Sequence, residues 1–278
     1  MKKGLVVIVT CMIGLIAVLS KMYRDTYTFK RREVTFYSKK LPKNENLTIL
    51  QISDLHNRVF GSDNGRLINI VADSNPDIIV LTGDLIDRRT ETFAHVFSLV
   101  ERLAAIHPNI YFVTGNHEWG NPATSTFLDG LRERHVTILD NRNVKITKNG
   151  VNLNLAGVAD ASTKYANLED AFRQLDTSHY TVLLSHTPGI TEMDEQIPAD
   201  LILSGHTHGG QVRFPLIGAL VSPDRGLFPK LDKGTYRLGP DRSLYIDSGL
   251  GTTRLPIRFL NQSQLSLITI TGTCDRYS

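Results

Sequence analysis

Cysteine is almost missing from this chain of 278 residues: Cys11 and Cys274 lie at opposite ends and make neither a disulfide framework nor a zinc-finger spacing. No internal repeat and no low-complexity tract is present, which excludes a repeat architecture. Nor does one sign of charge prevail, with 31 Lys and Arg against 28 Asp and Glu for a net of +3. That balance hides an asymmetry. Residues 1–45 hold 10 basic and 3 acidic side chains, a net of +7, which leaves 21 against 25, a net of −4, for the rest. The larger part lacks the basic excess of a nucleic-acid binder, so no nucleic-acid partner is expected.

Long apolar runs are scarce too, and the one that exists stands at the start. Residues 4–20 carry no charge and follow Lys2 and Lys3. At 1.5 Å per residue they reach roughly 26 Å, enough to cross a thin hydrocarbon core. Two readings stand, an uncleaved single-pass anchor in the cell membrane or a secretory signal removed after Ser20. The polar stretch behind the run argues against a buried core helix, and Thr10 before Cys11 argues against a lipoprotein cleavage site. Residues 21–45 read as a basic juxtamembrane linker, whose Lys21, Arg24, Lys30, Arg31 and Arg32 rest on anionic head groups or are simply solvated. Five cations after the span favour a cytoplasmic domain. A short Lys-Lys head also begins a signal anchor that exports its domain, so the side stays open. Residues 46–278 then form the folded part, and a hydrophobic content of 41% suffices for a sizeable core.

What the folded part does hold is a set of apolar strands that finish alike. Residues 46–52 run into Ser53, Asp54, Leu55 and His56; residues 77–82 run into Gly83 and Asp84; residues 110–113 run through Thr114 and Gly115 into Asn116, His117 and Glu118. Residues 180–184 run into Ser185 and His186, and residues 200–203 into Ser204, Gly205, His206, Thr207 and His208. Ligands of open α/β sheets sit beyond the carboxyl ends of the strands, so these loops are expected to meet in one pocket. Five such endings are hard to attribute to composition in a chain with nine histidines.

In order and spacing, Asp54-x-His56, Gly83-Asp84, Gly115-Asn116-His117-Glu118, His186 and Gly205-His206-Thr207-His208 resemble the successive motifs of the calcineurin-like metallophosphoesterase superfamily over roughly residues 50–210. The tail, with Gly-Gly-Gln after His208, then Val212-Arg-Phe-Pro, Gly249-Leu-Gly-Thr-Thr and Pro256-Ile-Arg-Phe, resembles a bacterial branch of membrane-associated phosphodiesterases. Some members of that branch cleave a lipid A precursor. The resemblance implies an α/β four-layer sandwich, two mixed β-sheets face to face and flanked by helices, with metals at one rim. It also implies that Asp84 bridges two divalent ions, with Asp54, His56 and His208 completing one site and Asn116, His186 and His206 the other. His117 is left over, and its place beside Asn116 suits a proton donor to the leaving oxygen or a stabiliser of transition-state charge.

The patterning between the motifs agrees with such a fold. Leu67, Ile70 and Val71 precede a stop at Asn75-Pro76, and Phe93, Val96, Phe97, Val100, Leu103 and Ala104 form a helical stripe closed by His107-Pro108. A third helix is expected around residues 122–133. Short strands follow at 136–139, 144–147 and 151–155, the last two around the hairpin signal Asn149-Gly150. This switch to hairpins suggests a second sheet, completed by strands at 210–214, 244–247 and 265–271.

A carboxylate has two oxygens to share between metals, whereas an imidazole offers one free nitrogen, and mixed N and O donors without thiolate point to Mn, Fe or Zn. Two divalent ions roughly 3.5–4 Å apart clamp a phosphate and acidify a bridging water to hydroxide. The expected function is a membrane-anchored, metal-dependent phosphoric ester hydrolase acting on a phosphodiester or pyrophosphate, the diester preference resting on the resemblance alone; the substrate is free or lipid-linked. The alternatives are a pyrophosphatase of a nucleotide-linked lipid precursor and a non-catalytic, metal-stabilised binding module. Several residues keep two readings. Asp87 is a partner of a ligand or a helix start; Glu118 orients His117 or caps a helix; Trp119 walls the pocket or packs beneath the loop. Arg213, Arg254 and Arg258 bind phosphate or make structural ion pairs. The apolar segment 214–221, with Leu227 and Phe228 behind it, is a packed strand pair or a lip that meets a lipid tail.

Overall fold

The computed structural model describes residues 2–272 apart from Glu195, Asp224, Arg225 and Arg254; Cys274 and Arg254 thus lie outside the described residues. The chain runs α1 (Lys2–Tyr27), β1 (Phe29–Ser38), β2 (Asn46–Ile52), α2 (Gly65–Ser74), β3 (Ile78–Leu81), α3 (Ala94–Ile106), β4 (Ile110–Phe112), α4 (Asn116–Trp119), α5 (Thr124–Glu133) and β5 (Thr137–Ile138). It continues through β6 (Arg142–Lys148), β7 (Val151–Gly157), β8 (Tyr180–Leu184) and β9 (Leu201–Ser204). Four two-residue strands follow, β10 (Arg213–Phe214), β11 (Gly218–Ala219), β12 (Val221–Ser222) and β13 (Gly226–Leu227), then β14 (Gly234–Arg237), β15 (Ser243–Ile246) and β16 (Ser263–Gly272).

Two six-stranded mixed sheets result, ordered β1-β16-β2-β3-β4-β5 and β14-β15-β9-β8-β7-β6. Alternation along β2 shows how they stack. Leu50 and Ile52 face a core shared with Leu67 and Val71 of α2, Val96 and Val100 of α3 and Phe127 of α5. Leu47 and Ile49 point the other way, onto Leu153, Leu155, Val182 and Leu203 of the second sheet. A third core of Ala156, Leu183, Ile202 and Ile246 lies on the outer face of that sheet beneath Ile190 and Ile197. Helices, sheet, sheet and outer cover make the four layers. The hairpin expected at Asn149-Gly150 forms, with both residues at positive φ (51° and 79°), the twist that a two-residue turn between β6 and β7 demands.

Three expectations need correction. Residues 21–45 are not a linker: α1 continues to Tyr27, and β1 pairs in parallel along its length with β16, from Phe29↔Ser263 to Ser38↔Gly272. Lys30, Arg31, Arg32 and Glu33 disguise this strand because they are exposed on a sheet edge, where charges are tolerated and discourage further pairing. Second, the strands expected at 136–139 and 265–271 belong to the first sheet; β16 pairs with β1 on one edge and β2 on the other and has Leu265 in one core and Ile268 and Ile270 in another. Third, residues 210–214 join neither large sheet but enter the small hairpin β10–β11.

Phe29 separates strand from linker. It is 2% exposed and packs edge-on against Phe60 at 4.7 Å. Phe29→Ala is expected to destabilise the chain by about 3–5 kcal/mol in denaturant unfolding; a linker residue would show no change.

Candidate metal centre

The strand ends present their side chains through backbone that ordinary residues avoid. Asp54, His56, Asp84, His206 and His208 all lie in the left-handed region, with φ between 48° and 69°. Each such residue costs on the order of 1 kcal/mol and persists only where neighbours over-determine it. Here the loops bind one another: the Asp54 N–H donates to Gly83 O at 3.0 Å, the His56 N–H to Asp84 O at 3.0 Å, and the His206 N–H to Asp54 Oδ1 at 3.0 Å. Gly83, at φ 83°, leaves no room for a side chain, since a β-carbon would lie 2.7 Å from both Gly115 N and His186 Nδ1.

All seven candidate ligands come together; Asn116 is half-buried and the other six are buried. Asp54, His56 and His208 form one group and Asp84, His186 and His206 another, each with donor atoms within 4.8 Å of one another. The Asn116 Oδ1 joins the second group, 3.1 Å from His206 Nδ1. Asp84 stands between the groups, its Oδ2 3.2 Å from His186 Nε2 and 3.7 Å from His56 Nε2. His117 falls near His56 and Asp84 as a third set, its ring centre 4.7 Å from that of His56.

Two pairs of ring nitrogens face each other at 3.2 Å, His56 Nε2 against His208 Nε2 and His186 Nε2 against His206 Nδ1. Lone pairs at that distance repel unless a proton or cation lies between them, and two nitrogens bound to one tetrahedral ion at about 2.0–2.1 Å stand roughly 3.3 Å apart. The donor set therefore fits divalent ions. The outer nitrogens are fixed to suit: the His186 Nδ1 donates to Thr82 O at 2.8 Å, and the His56 Nδ1 lies 2.7 Å from Asp87 Oδ1.

Titration at the centre is dominated by burial in competition with charge. Burial lowers the His56 and His186 pKa values, yet Asp87 and Asp84 around His56, and Asp84 around His186, outweigh it and raise both, His186 strongly. His208, where burial acts together with repulsion from His56 and Arg258, is held well below the usual histidine range. Burial opposes ionisation of Asp84, but His186 and His56 bring its carboxyl well below the usual range.

Two neighbouring acids resolve their double readings. Asp87 starts no helix; it accepts from His56 and lies 3.1 Å from His117 Nδ1, so one carboxylate braces both rings. Glu118 directs its hydrogen bonds to backbone rather than to the His117 ring. Fully buried, it accepts from the backbone N–H groups of Asp84 (2.8 Å), Leu85 (2.7 Å), Ile86 (3.2 Å) and Gly115 (2.8 Å), thereby capping its own short helix and holding the loop that carries Asp84. Burial and Asp84 push its carboxyl up to about 7 against the pull of those donors.

Arg213 and Arg258 are structural. Arg258 is completely buried and donates to the carbonyls of Gly251 and Ser248 and, at 3.4 Å, of His208, while Arg213 pairs with Asp232 at 2.6 Å. Trp119 is half-buried, donates to Thr114 Oγ1 at 2.7 Å and stacks on Tyr165 at 4.1 Å. Segment 214–221 does form strand pairs, but Phe214, Leu216, Ile217 and Val221 are exposed rather than packed. Sequence reasoning missed Asp25 and Thr26, buried at the foot of α1: the Asn261 N–H donates to Asp25 Oδ2 at 3.2 Å and the Arg258 N–H to Thr26 Oγ1 at 2.8 Å. The only sequence signal was an acid and a hydroxyl directly behind an apolar span.

Imidazoles and carboxylates gathered at the shared rim of two stacked sheets define a divalent-metal hydrolase site. The family pattern described as calcineurin-like phosphoesterase matches residues 47–210, and the chain belongs to that family as a metal-dependent phosphoric ester hydrolase. A metallophosphoesterase of Aquifex aeolicus is 32% identical over 270 residues, covering 92% of this chain and 98% of its own length. The metallophosphoesterase YkuE of Bacillus subtilis is 29% identical over 258 residues, covering 90% and 88%. A transmembrane protein with metallophosphoesterase domain from Danio rerio is 28% identical over 83% of this chain and 55% of that protein. One solved crystal structure, 11% identical, overlays with a TM-score of 0.50 over 74% of this chain and 91% of the other, a likeness of fold alone.

The neighbouring carboxylates raise the pKa values of His56 and His186, so protons held on these rings must leave before an ion binds. Loading with Mn is therefore expected to release protons, and affinity should rise with pH, as titration calorimetry in buffers of different ionisation enthalpy will read. Affinity independent of pH would contradict this. Glu118→Gln sets an amide N–H₂ against backbone donors and is expected to cost about 2–3 kcal/mol of stability, seen as a lower Tm; an unchanged Tm would mean that the loop is held otherwise.

Proposed function

We propose that the chain is a membrane-anchored phosphoesterase that holds two divalent ions, Mn, Fe or Zn, on Asp54, His56, Asp84, Asn116, His186, His206 and His208. It hydrolyses a phosphodiester or a pyrophosphate. The observation that carries this reading is the pair of facing imidazole couples on either side of the Asp84 carboxylate. Bound there, such ions would supply Lewis acidity, drawing in an anionic phosphoryl group and lowering the pKa of water. Two carboxylates leave two dications with a net positive charge, so the substrate anion stays attracted. The mixed nitrogen and oxygen donors suit Mn, Fe and Zn alike.

The remaining steps fall to this chain's own groups. His117, half-exposed at the rim and fixed from beneath by its backbone N–H to Asp84 Oδ1 at 2.9 Å, protonates the leaving oxygen. Asp87, its Oδ1 3.1 Å from the His117 Nδ1, keeps that ring oriented. That this donor and its brace stand beside a full donor set supports an enzyme over a binding module. For membrane attachment the support is α1, whose residues 2–20 are exposed and apolar enough to cross a bilayer.

The test is turnover of bis-p-nitrophenyl phosphate by the full chain with Mn, Fe or Zn. Asp84→Asn is expected to abolish it, and His117→Ala to lower kcat about 10²–10⁴-fold while bound metal is retained. Retained activity in His117→Ala would remove the proton donor, and no turnover with any of the three ions would overturn the proposal.

A further inference from the structure

The anchor enters the domain at the catalytic rim. β16 runs antiparallel to β2, with Ser266 opposite Gln51, so Ser263 lies beyond the carboxyl end of β2, where the Asp54 loop begins. β1 pairs Phe29 with that same Ser263, which puts the end of α1 at this rim. The contacts agree: Arg58, two residues past His56, donates to Thr26 O at 3.1 Å and stacks over Tyr27 at 4.6 Å. Asn261 ties foot to metal loop directly, its N–H on Asp25 and its Nδ2 donating to His208 O at 2.7 Å. With Arg258 and Gln262 also bonded to Thr26 and Thr28, the helix foot is seated rather than hinged.

From Ser20 to the buried Asp25 is five residues, about 7.5 Å of helix, comparable with the depth of one head-group layer. A domain held so closely cannot stand away from the bilayer that α1 spans. Beside the foot stands an unpaired apolar surface. Leu260, between the foot-binding Arg258 and Asn261, lines an open cleft with Phe214 and Leu216. Hairpin β10–β11 is tied to this segment by the Arg213 N–H on Phe259 O (3.0 Å), and hairpin β12–β13 is tied to β10–β11 by the Leu220 N–H on Val212 O (3.3 Å) and the Phe228 N–H on Leu220 O (3.0 Å). Leu216 is fully exposed, and Phe214, Ile217, Leu227 and Phe228 are exposed beside it. Patches of this kind mark an interaction surface.

We propose that the exposed apolar side chains Phe214, Leu216, Ile217, Leu227 and Phe228 dip into the phospholipid bilayer that holds α1, so that the metal centre opens at head-group level. The proposal rests on the anchor assigned above, and the bilayer is chosen as occupant because the patch is continuous with the seat of the exposed apolar helix.

The full chain, with Cys11 and Cys274 replaced by serine, would be placed in phosphatidylcholine–phosphatidylglycerol nanodiscs carrying doxyl-labelled lipid. An environment-sensitive fluorophore would be attached to a single cysteine at position 216, 227, 11 or 177. Thr177 is exposed beside Lys40, at the opposite end of the strands. Quenching at 216 and 227 several-fold above that at 177 is expected, with deep quenching at 11. Quenching at 11 but only the level of 177 at 216 and 227 overturns the docking and leaves the anchor; no quenching at 11 overturns both. A second readout is Leu216→Asp, expected to lower turnover of an amphiphilic phosphodiester tenfold or more while bis-p-nitrophenyl phosphate turnover stays unchanged. Equal losses on both substrates overturn the docking, whereas wild-type inactivity on both removes the phosphoesterase reading and leaves the quenching result to decide the surface.

Discussion

The carboxylate of Asp84 is the point on which the rim closes. One oxygen receives the His117 N–H and the other faces imidazoles from both metal groups. Its loop is in turn held by Glu118 from the next motif, and its neighbour Gly83 must be glycine because Gly115 and His186 press upon it. A buried acid accepting several backbone N–H groups contributes most where its removal would leave every donor unpaired. The motifs that are far apart in the chain are therefore one mechanical unit: shifting any loop moves the donors of another.

Much of this was legible in the sequence, for a physical reason. Polar side chains placed directly after apolar strands can only emerge at the strand ends, so the spacing of Asp54, Asp84, Asn116, His186 and His206 points to a shared rim. Side-chain partners were less legible, because the path of a loop decides them. Glu118 reads in sequence as a brace for His117 or a helix cap, and the turn of α4 decides for the cap and sends the carboxylate under Asp84. Strand β1 was invisible because its charges satisfy an edge, and only the two-sided apolar character of β16 hints that another strand covers it. Arg258 illustrates a third limit: a buried guanidinium with three carbonyl partners reads in sequence like a phosphate ligand.

The buried arginine also links the two halves of the functional reading. Its backbone binds the foot of α1 while its side chain reaches the carbonyl of His208, with burial drawing its pKa down to about 10. Helix α1, the tail segment and the His208 loop thereby share one support, which gives the residues behind the family motifs a purpose that the motifs themselves do not state.

The central claim, that Asp84 is shared by two ions, is tested most directly by low-temperature electron paramagnetic resonance of the Mn-loaded full chain. A spin-coupled Mn pair is expected, lost in Asp84→Asn. A spectrum of isolated Mn at full occupancy, the same in both proteins, would contradict it.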